Sequence, residues 1–301
     1  MSKIYVFIVA ILISSILNAS GDLHLFEVEN RDGAITPQKI EEAFVKDGFG
    51  IAVNSDMIKP FTIQFKETKF KIFTLMTIYH EQTSFDLVKK YPVAGIFTPL
   101  GVGIYQDKKE NTLHVSILTS QTLSKIMGIE DELIKKLESQ VLATLKKVLP
   151  NAKYKLSEEP LDENRELITK YELEIDGDDF KTAKENVLLG LDNGLSLYGF
   201  IVAGKLDLNK HIKDSPYDFY DGYSICKLPV IYTVALSKPE AAAYAPCTLA
   251  IYKKKDENKI VLEYPSVYNW ISSALIKDKD GVDVLLKAQE QFKAILAEIV
   301  E

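Results

Sequence analysis

The 301-residue chain is poor in the residues that usually announce chemistry: two cysteines, four histidines, four methionines and one tryptophan. Four histidines spread over positions 24, 80, 114 and 211 form no helical i,i+4 pair and no short cysteine/histidine cluster, so zinc-type motifs are excluded. No G-x-S-x-G nucleophile elbow, P-loop or Rossmann fingerprint is present, and Gly101-Val102-Gly103 lacks the third glycine. The motif-bearing enzyme classes are thereby set aside, and the chain reads as a non-enzymatic module with no cofactor; dispersed catalytic carboxylates alone escape such a search. There is no excess of positive charge either. The formal net charge is −7, no basic stripe compensates it, and nucleic acid is not the expected partner. The mixed-sign stretch KKKDENK, residues 253–259, reads as a solvated turn.

Long hydrophobic runs are also lacking, with one exception. Residues 4–17 carry no charge, follow Lys3 and precede Asn18-Ala19-Ser20. That run is shorter than the roughly 20 residues of a spanning helix and has the layout of a cleavable secretory signal. Residues 1–20 are therefore expected to be removed, leaving a periplasmic or secreted protein with no membrane segment. In an oxidising compartment, Cys226 and Cys247 permit one disulfide.

What is abundant is self-similarity. Residues 99–115, PLGVGIYQDKKENTLHV, align without a gap on residues 246–262, PCTLAIYKKKDENKIVL. The offset is 147 (246 − 99). Pro99/Pro246, Ile104/Ile251, Tyr105/Tyr252, Lys108/Lys255, Glu110/Glu257 and Asn111/Asn258 are identical. A larger order of elements surrounds the pair. In the first half the patterns predict a strand at 22–29 and a helix capped by Thr36-Pro37. Strands at 49–54, 61–66 and 69–79 follow, then a short helix at 85–92, the hairpin 98–106/112–118 and an amphipathic helix at 130–149. In the second half they predict a strand at 170–175 and a helix started by the acidic DGDD, residues 176–179, and closed by Gly190 and Gly194. Strands at 195–204 and 228–236, the hairpin 247–254/259–264 and a helix at 281–300 complete it, with DKDGVD (278–283) as its capping turn. DSPYDFYDGY (214–223) reads as a turn-rich connection. The fold class is α+β: two tandem copies, β-α-β(4)-α-like, of an antiparallel sheet with helices on one face. Residues 21–150 form the first repeat, 151–167 a polar linker and 168–301 the second repeat.

The proline-led hairpin, with its aliphatic strand, charged turn and second strand, resembles the bacterial domain-of-unknown-function family 302. The resemblance rests on TIYHEQTSFDLVKKYPVAGIFTPLGVGIYQDKKENTLHV in the first half and ALSKPEAAAYAPCTLAIYKKKDENKIVL in the second. It implies a compact α+β domain of the TATA-binding-protein-like fold class and no particular activity. The Pro-Cys of that pattern stands at Pro246-Cys247; the first half has Pro99-Leu100, so no thiol role is shared by both.

Strand alternation sorts the hairpin. Leu100, Val102 and Ile104, and equally Cys247, Leu249 and Ile251, should face the helices. Gly101, Gly103 and Tyr105, and equally Thr248, Ala250 and Tyr252, share the other face, where small residues mark a close approach. Two occupants are open for that face: the other copy or a second subunit of a homo-oligomer, or a small apolar ligand or protein partner in a groove walled by the tyrosines. For Cys247 the open readings are a core position, a disulfide with Cys226, or a redox role. A metal site would have to bring His80 and His114 together.

Overall fold

The computed structural model describes residues 20–175 and 179–301. Most of the segment expected to be a signal, up to Ala19, and most of the DGDD helix start lie outside the described residues.

The first unit runs β1 (Leu23–Glu29), α1 (Pro37–Lys46), β2 (Phe49–Asp56), α2 (Ile58–Phe65), β3 (Phe70–His80), α3 (Thr83–Lys90), a 3-10 turn (Pro92–Phe97), β4 (Leu100–Asp107), β5 (Thr112–Leu118), α4 (Ser120–Met127) and α5 (Glu132–Val148). After β6 (Lys153–Leu156) the second unit runs β7 (Ile168–Glu174), α6 (Phe180–Tyr198), β8 (Ile201–Asp207), β9 (Tyr217–Cys226), α7 (Leu228–Ser237), a second 3-10 turn (Pro239–Tyr244), β10 (Cys247–Lys254), β11 (Lys259–Pro265), α8 (Val267–Ser273) and α9 (Lys279–Val300). Each unit has one antiparallel sheet, in the orders β2-β3-β4-β5-β1-β6 and β8-β9-β10-β11-β7. The α+β class with two sheet-plus-helix units is thus observed.

The offset of 147 holds well beyond the hairpin. It relates the 3-10 turns Pro92–Phe97 and Pro239–Tyr244, β4 to β10 and β5 to β11 residue for residue. It also relates the cis peptides Thr98-Pro99 and Ala245-Pro246, and the left-handed residues Gly128 and Leu275. Asp131 caps α5 and Asp278 caps α9 by accepting backbone N–H bonds, which satisfies donors that a helix start leaves unpaired. Thr119 and Ser266 do the same for α4 and α8.

Several elements differ from the sequence reading. Residues 61–65 and 228–236 are helical, in α2 and α7, not strands, and Lys66 is the left-handed residue that ends α2. A short run that is apolar on both parities suits a buried helix as well as a strand. Here Pro229 sits in the first turn of α7, and Val230, Ile231, Val234 and Ala235 are buried. Residues 217–226 are a strand, not a loop. The acids that disguised it have lysine partners: Asp221, buried, lies 2.6 Å from Lys184, and Asp218 lies 2.6 Å from Lys253. Lys253 is accordingly buried strand rather than part of a solvated turn. Gly190 and Gly194 do not end α6, which continues to a left-handed Gly199. A Cβ at either glycine would come within 3.0 Å or less of Ile299 or Ile295, so these glycines let α6 and α9 pack closely. The polar linker contributes β6, which pairs with β1.

The helix-facing side of the second sheet packs Phe219, Ile225, Leu249, Ile251 and Leu262 against α6 and α9. The main core, by contrast, runs through both units. Asp22, fully buried, ties them: its carboxylate accepts from Thr122 Oγ1 at 3.0 Å, from the Leu161 N–H at 2.9 Å and from Ser273 Oγ of the second unit at 2.9 Å. Burial raises the Asp22 pKa despite these bonds.

Candidate functional site

The small-residue faces are where the two units clasp each other. The second 3-10 turn lies on β4 and β5, and the first lies on β10. A Cβ on Gly101 would stand 2.3 Å from the Ala243 carbonyl oxygen, and one on Gly103 would stand 2.6 Å from the Ala242 Cβ. On the opposite side the bulk is exchanged. Tyr220, the counterpart of Phe73, presses over Gly95, the counterpart of Ala242, and donates from its hydroxyl to the Pro92 carbonyl at 2.5 Å. Tyr217 donates to the Val88 carbonyl at 2.7 Å. Thr248 and Ala250 are buried there. Tyr252 stacks on Tyr220 at 4.8 Å, and its counterpart Tyr105 lies beside Phe73 at 6.4 Å and stacks on His114 at 4.9 Å. Of the two occupants open to this face, the other half of the chain is the one present. Tyr105 and Tyr252 share that face, each packed on aromatic neighbours of its own unit.

The two cysteines meet at a different place. Both border a cavity of about 60 Å³ between the end of the second sheet and α7, α8 and α9. Its walls include Leu249, Tyr264, Trp270, Leu285, Ala288 and Phe292. The cysteines are free thiols. Register explains why they are not bridged: Cys247 pairs with Ile225 across β9 and β10, so the next residue, Cys226, alternates to the other face. Burial pushes the Cys226 thiol up to about 11. It pushes Cys247 up to about 12, against the lowering effect of the Trp270 indole beside it. Thiols held this far above neutrality are protonated and poor nucleophiles, so the geometry gives the redox reading no support.

The first unit carries the same cavity, nearly closed. About 10 Å³ remains between Leu100, Ile117, Leu123, Val141, Leu142 and Glu138. Under the offset these are the counterparts of Cys247, Tyr264, Trp270, Ala288, Gln289 and Leu285. Cys247 and Ala288 are shorter than Leu100 and Val141, and the room they leave is not refilled by the larger Tyr264 and Trp270. Gln289 is committed to the protein: it donates to Thr169 Oγ1 at 2.8 Å and accepts from the Val267 N–H at 3.3 Å. The wall facing the cavity is therefore almost wholly apolar.

The histidines do not assemble a metal centre, and among the described residues no group of three or more potential ligands converges. His80 ends β3 beyond the Ile78↔Leu100 pair, whereas His114 sits opposite Tyr105. At about 3.3 Å per residue they are on the order of 20 Å apart along the sheet, so the condition that a shared metal site would require is not met. His80 instead sits within 3.0 Å of Gln140 Nε2. The sequence reading missed His24, which is buried with its Nε2 2.8 Å from Glu138 and its Nδ1 3.0 Å from Tyr154 Oη. Burial raises Glu138, but His24 and the Ser120 backbone N–H outweigh it and hold the carboxyl below its ordinary value. Ser120 Oγ donates to Glu138 at 2.8 Å rather than to the imidazole. A broad open groove of about 960 Å³ near α4 and the start of α5 is lined by Lys90, Lys125 and Lys135. Each already has an acidic partner: Asp131, Glu159 with Glu163, and Glu132. No helix among the described residues is long and apolar enough to cross a membrane.

Fold and site together define a two-unit α+β protein whose units clasp through small-residue sheet faces and whose second unit keeps an apolar cavity. Residues 27–152, essentially the first unit, match the family model described as Domain of unknown function DUF302. A solved structure described as "Crystal structure of uncharacterized conserved protein DUF302 from Bacillus stearothermophilus" is similar at 16% identity, with a TM-score of 0.34, covering 42% of this chain and 95% of that one. No curated protein matches the chain.

Proposed function

We propose that this protein is an exported, non-enzymatic binding module, built by duplication of one domain, that takes a small apolar ligand in the cavity of its second unit. The observation that carries this reading is the contrast between equivalent sites. Packing to interior density is the default, and the first unit achieves it with Leu100 and Val141. The second unit departs from it at Cys247 and Ala288 while keeping apolar walls, at a cost of about 1.2 kcal/mol for some 50 Å³ of extra void at ~24 cal/mol per Å³. A void of 60 Å³ is several times the room a single water needs, roughly 10–15 Å³. It admits the end of a short apolar chain, with the remainder toward the rim.

Duplication is supported by the offset shared by turns, strands, caps and cis prolines. Export is supported by the leader-like run at residues 4–17; the mass of the protein purified from its own host tests cleavage near residue 20. For binding, Trp270 is the chain's only tryptophan and lines the cavity. Titration with 1-hexanol should therefore give a saturable change in its fluorescence, and Cys247→Leu should abolish it. A parent protein with no saturable response removes the reading.

A further inference from the structure

We infer that the occupant of the second unit's cavity is a short-chain monocarboxylate, its alkyl tail against Leu249, Leu285 and Phe292 and its carboxylate on Lys227. This deepens the binding role proposed above and rests on it. Lys227 lies on the cavity wall where the chain passes from β9 to α7, and it is half-buried. Its ammonium lies over the Phe200 ring, 4.8 Å from the centroid, and donates to Gln291 Oε1 at 2.5 Å. That acceptor is neutral, and no carboxylate lies within 4 Å of the ammonium among the described residues.

The neighbourhood leaves this cation unbalanced. Burial, followed by repulsion from Lys287 on α9, lowers the Lys227 pKa. The half-buried Lys125, Lys184 and Lys259 and the buried Lys253 all reach acids, whereas Lys227, on the wall of an apolar hole, reaches only the neutral Gln291. A partly desolvated cation lacking its counter-ion gains most from an ionised acceptor. The adjoining walls offer nothing polar to a tail, because Gln289 is already bonded within the protein. The first unit makes the opposite choice at the same place: Glu138 stands where the second unit has Leu285, and His80 stands where it has Lys227. An anion is disfavoured there and welcomed here.

The test uses the full mature chain and Trp270 fluorescence, with hexanoate, 1-hexanol and hexylamine as probes at neutral pH. Hexanoate should bind about tenfold more tightly than 1-hexanol, the range of one charged hydrogen bond, and hexylamine more weakly than either. Lys227→Met should bring hexanoate to the level of 1-hexanol while Lys227→Arg keeps the preference. Equal affinities of hexanoate and 1-hexanol in the parent overturn the carboxylate assignment and leave the cavity reading standing. Absence of binding by all three overturns both. The comparison of probes in the parent decides the matter even if a Lys227 variant fails to fold.

Discussion

Gly103→Ala perturbs the clasp between the units at one defined atom. The added Cβ would lie 2.6 Å from the Ala242 Cβ of the second 3-10 turn and 2.6 Å from Ser116 Oγ. Ordinary carbon–carbon contact is about 3.5–4.0 Å, so the turn must retreat by roughly 1 Å or β4 must bend. Overpacking of this kind costs about 1–3 kcal/mol. The Ser116 hydroxyl can rotate aside, which leaves Ala242 as the hard contact. Ala242→Gly removes that contact and by itself costs about 0.5–1 kcal/mol in backbone entropy. The double variant Gly103→Ala/Ala242→Gly should then be more stable than the sum of the single effects requires, by at least about 1 kcal/mol of coupling. It recreates the arrangement of the other side, where Ala250 is the sheet residue and Gly95 the turn residue. Urea unfolding of the four proteins measures the coupling. Strict additivity, or a neutral Gly103→Ala, would refute the clasp as described.

Two further perturbations address buried ionisable groups. Glu263 lies on the interface face beside Tyr252, and burial raises its pKa, so the folded state holds a proton that the unfolded state gives up. The sign follows: this group's contribution is favourable below the ordinary carboxylate range and is lost as pH rises through the raised folded value. Glu263→Gln should therefore gain stability relative to the parent between pH 4 and pH 8, and a pH-independent difference in urea midpoints contradicts the assignment. The thiols of Cys226 and Cys247, raised to about 11 and about 12, should react with a disulfide reagent at pH 8 far more slowly in the native protein than in urea, by at least about a hundredfold; similar rates would restore the redox reading.

Much of this fold was legible because its signals are local. Thr36 and Asp278 cap helices where the pattern placed them, and the hairpin's alternation correctly put Leu100 and Val102 on one face and Gly101 and Gly103 on the other. The failures are tertiary. LPVIYTVAL has no periodicity to choose between a buried helix and a strand, and its environment chose. Gly190 and Gly194 look like stops until Ile295 and Ile299 are placed against them. The acids of β9 read as loop because Lys184 and Lys253, distant in sequence, neutralise them. The candidate site divides in the same way. Alternation located the close approach at Gly101, Gly103, Thr248 and Ala250 but could not say which body approaches. The cavity was present in the alignment only as Leu100 against Cys247; its other half, Val141 against Ala288, lies on the closing helices, where no pairing was drawn.

Diffraction from a crystal pressurised with xenon tests the central contrast most directly, since xenon fills apolar voids without needing a polar partner. The account predicts xenon between Cys247, Trp270 and Ala288 and none between Leu100, Leu123 and Val141. Equal occupancy of the two places, or xenon in the first unit alone, would contradict it.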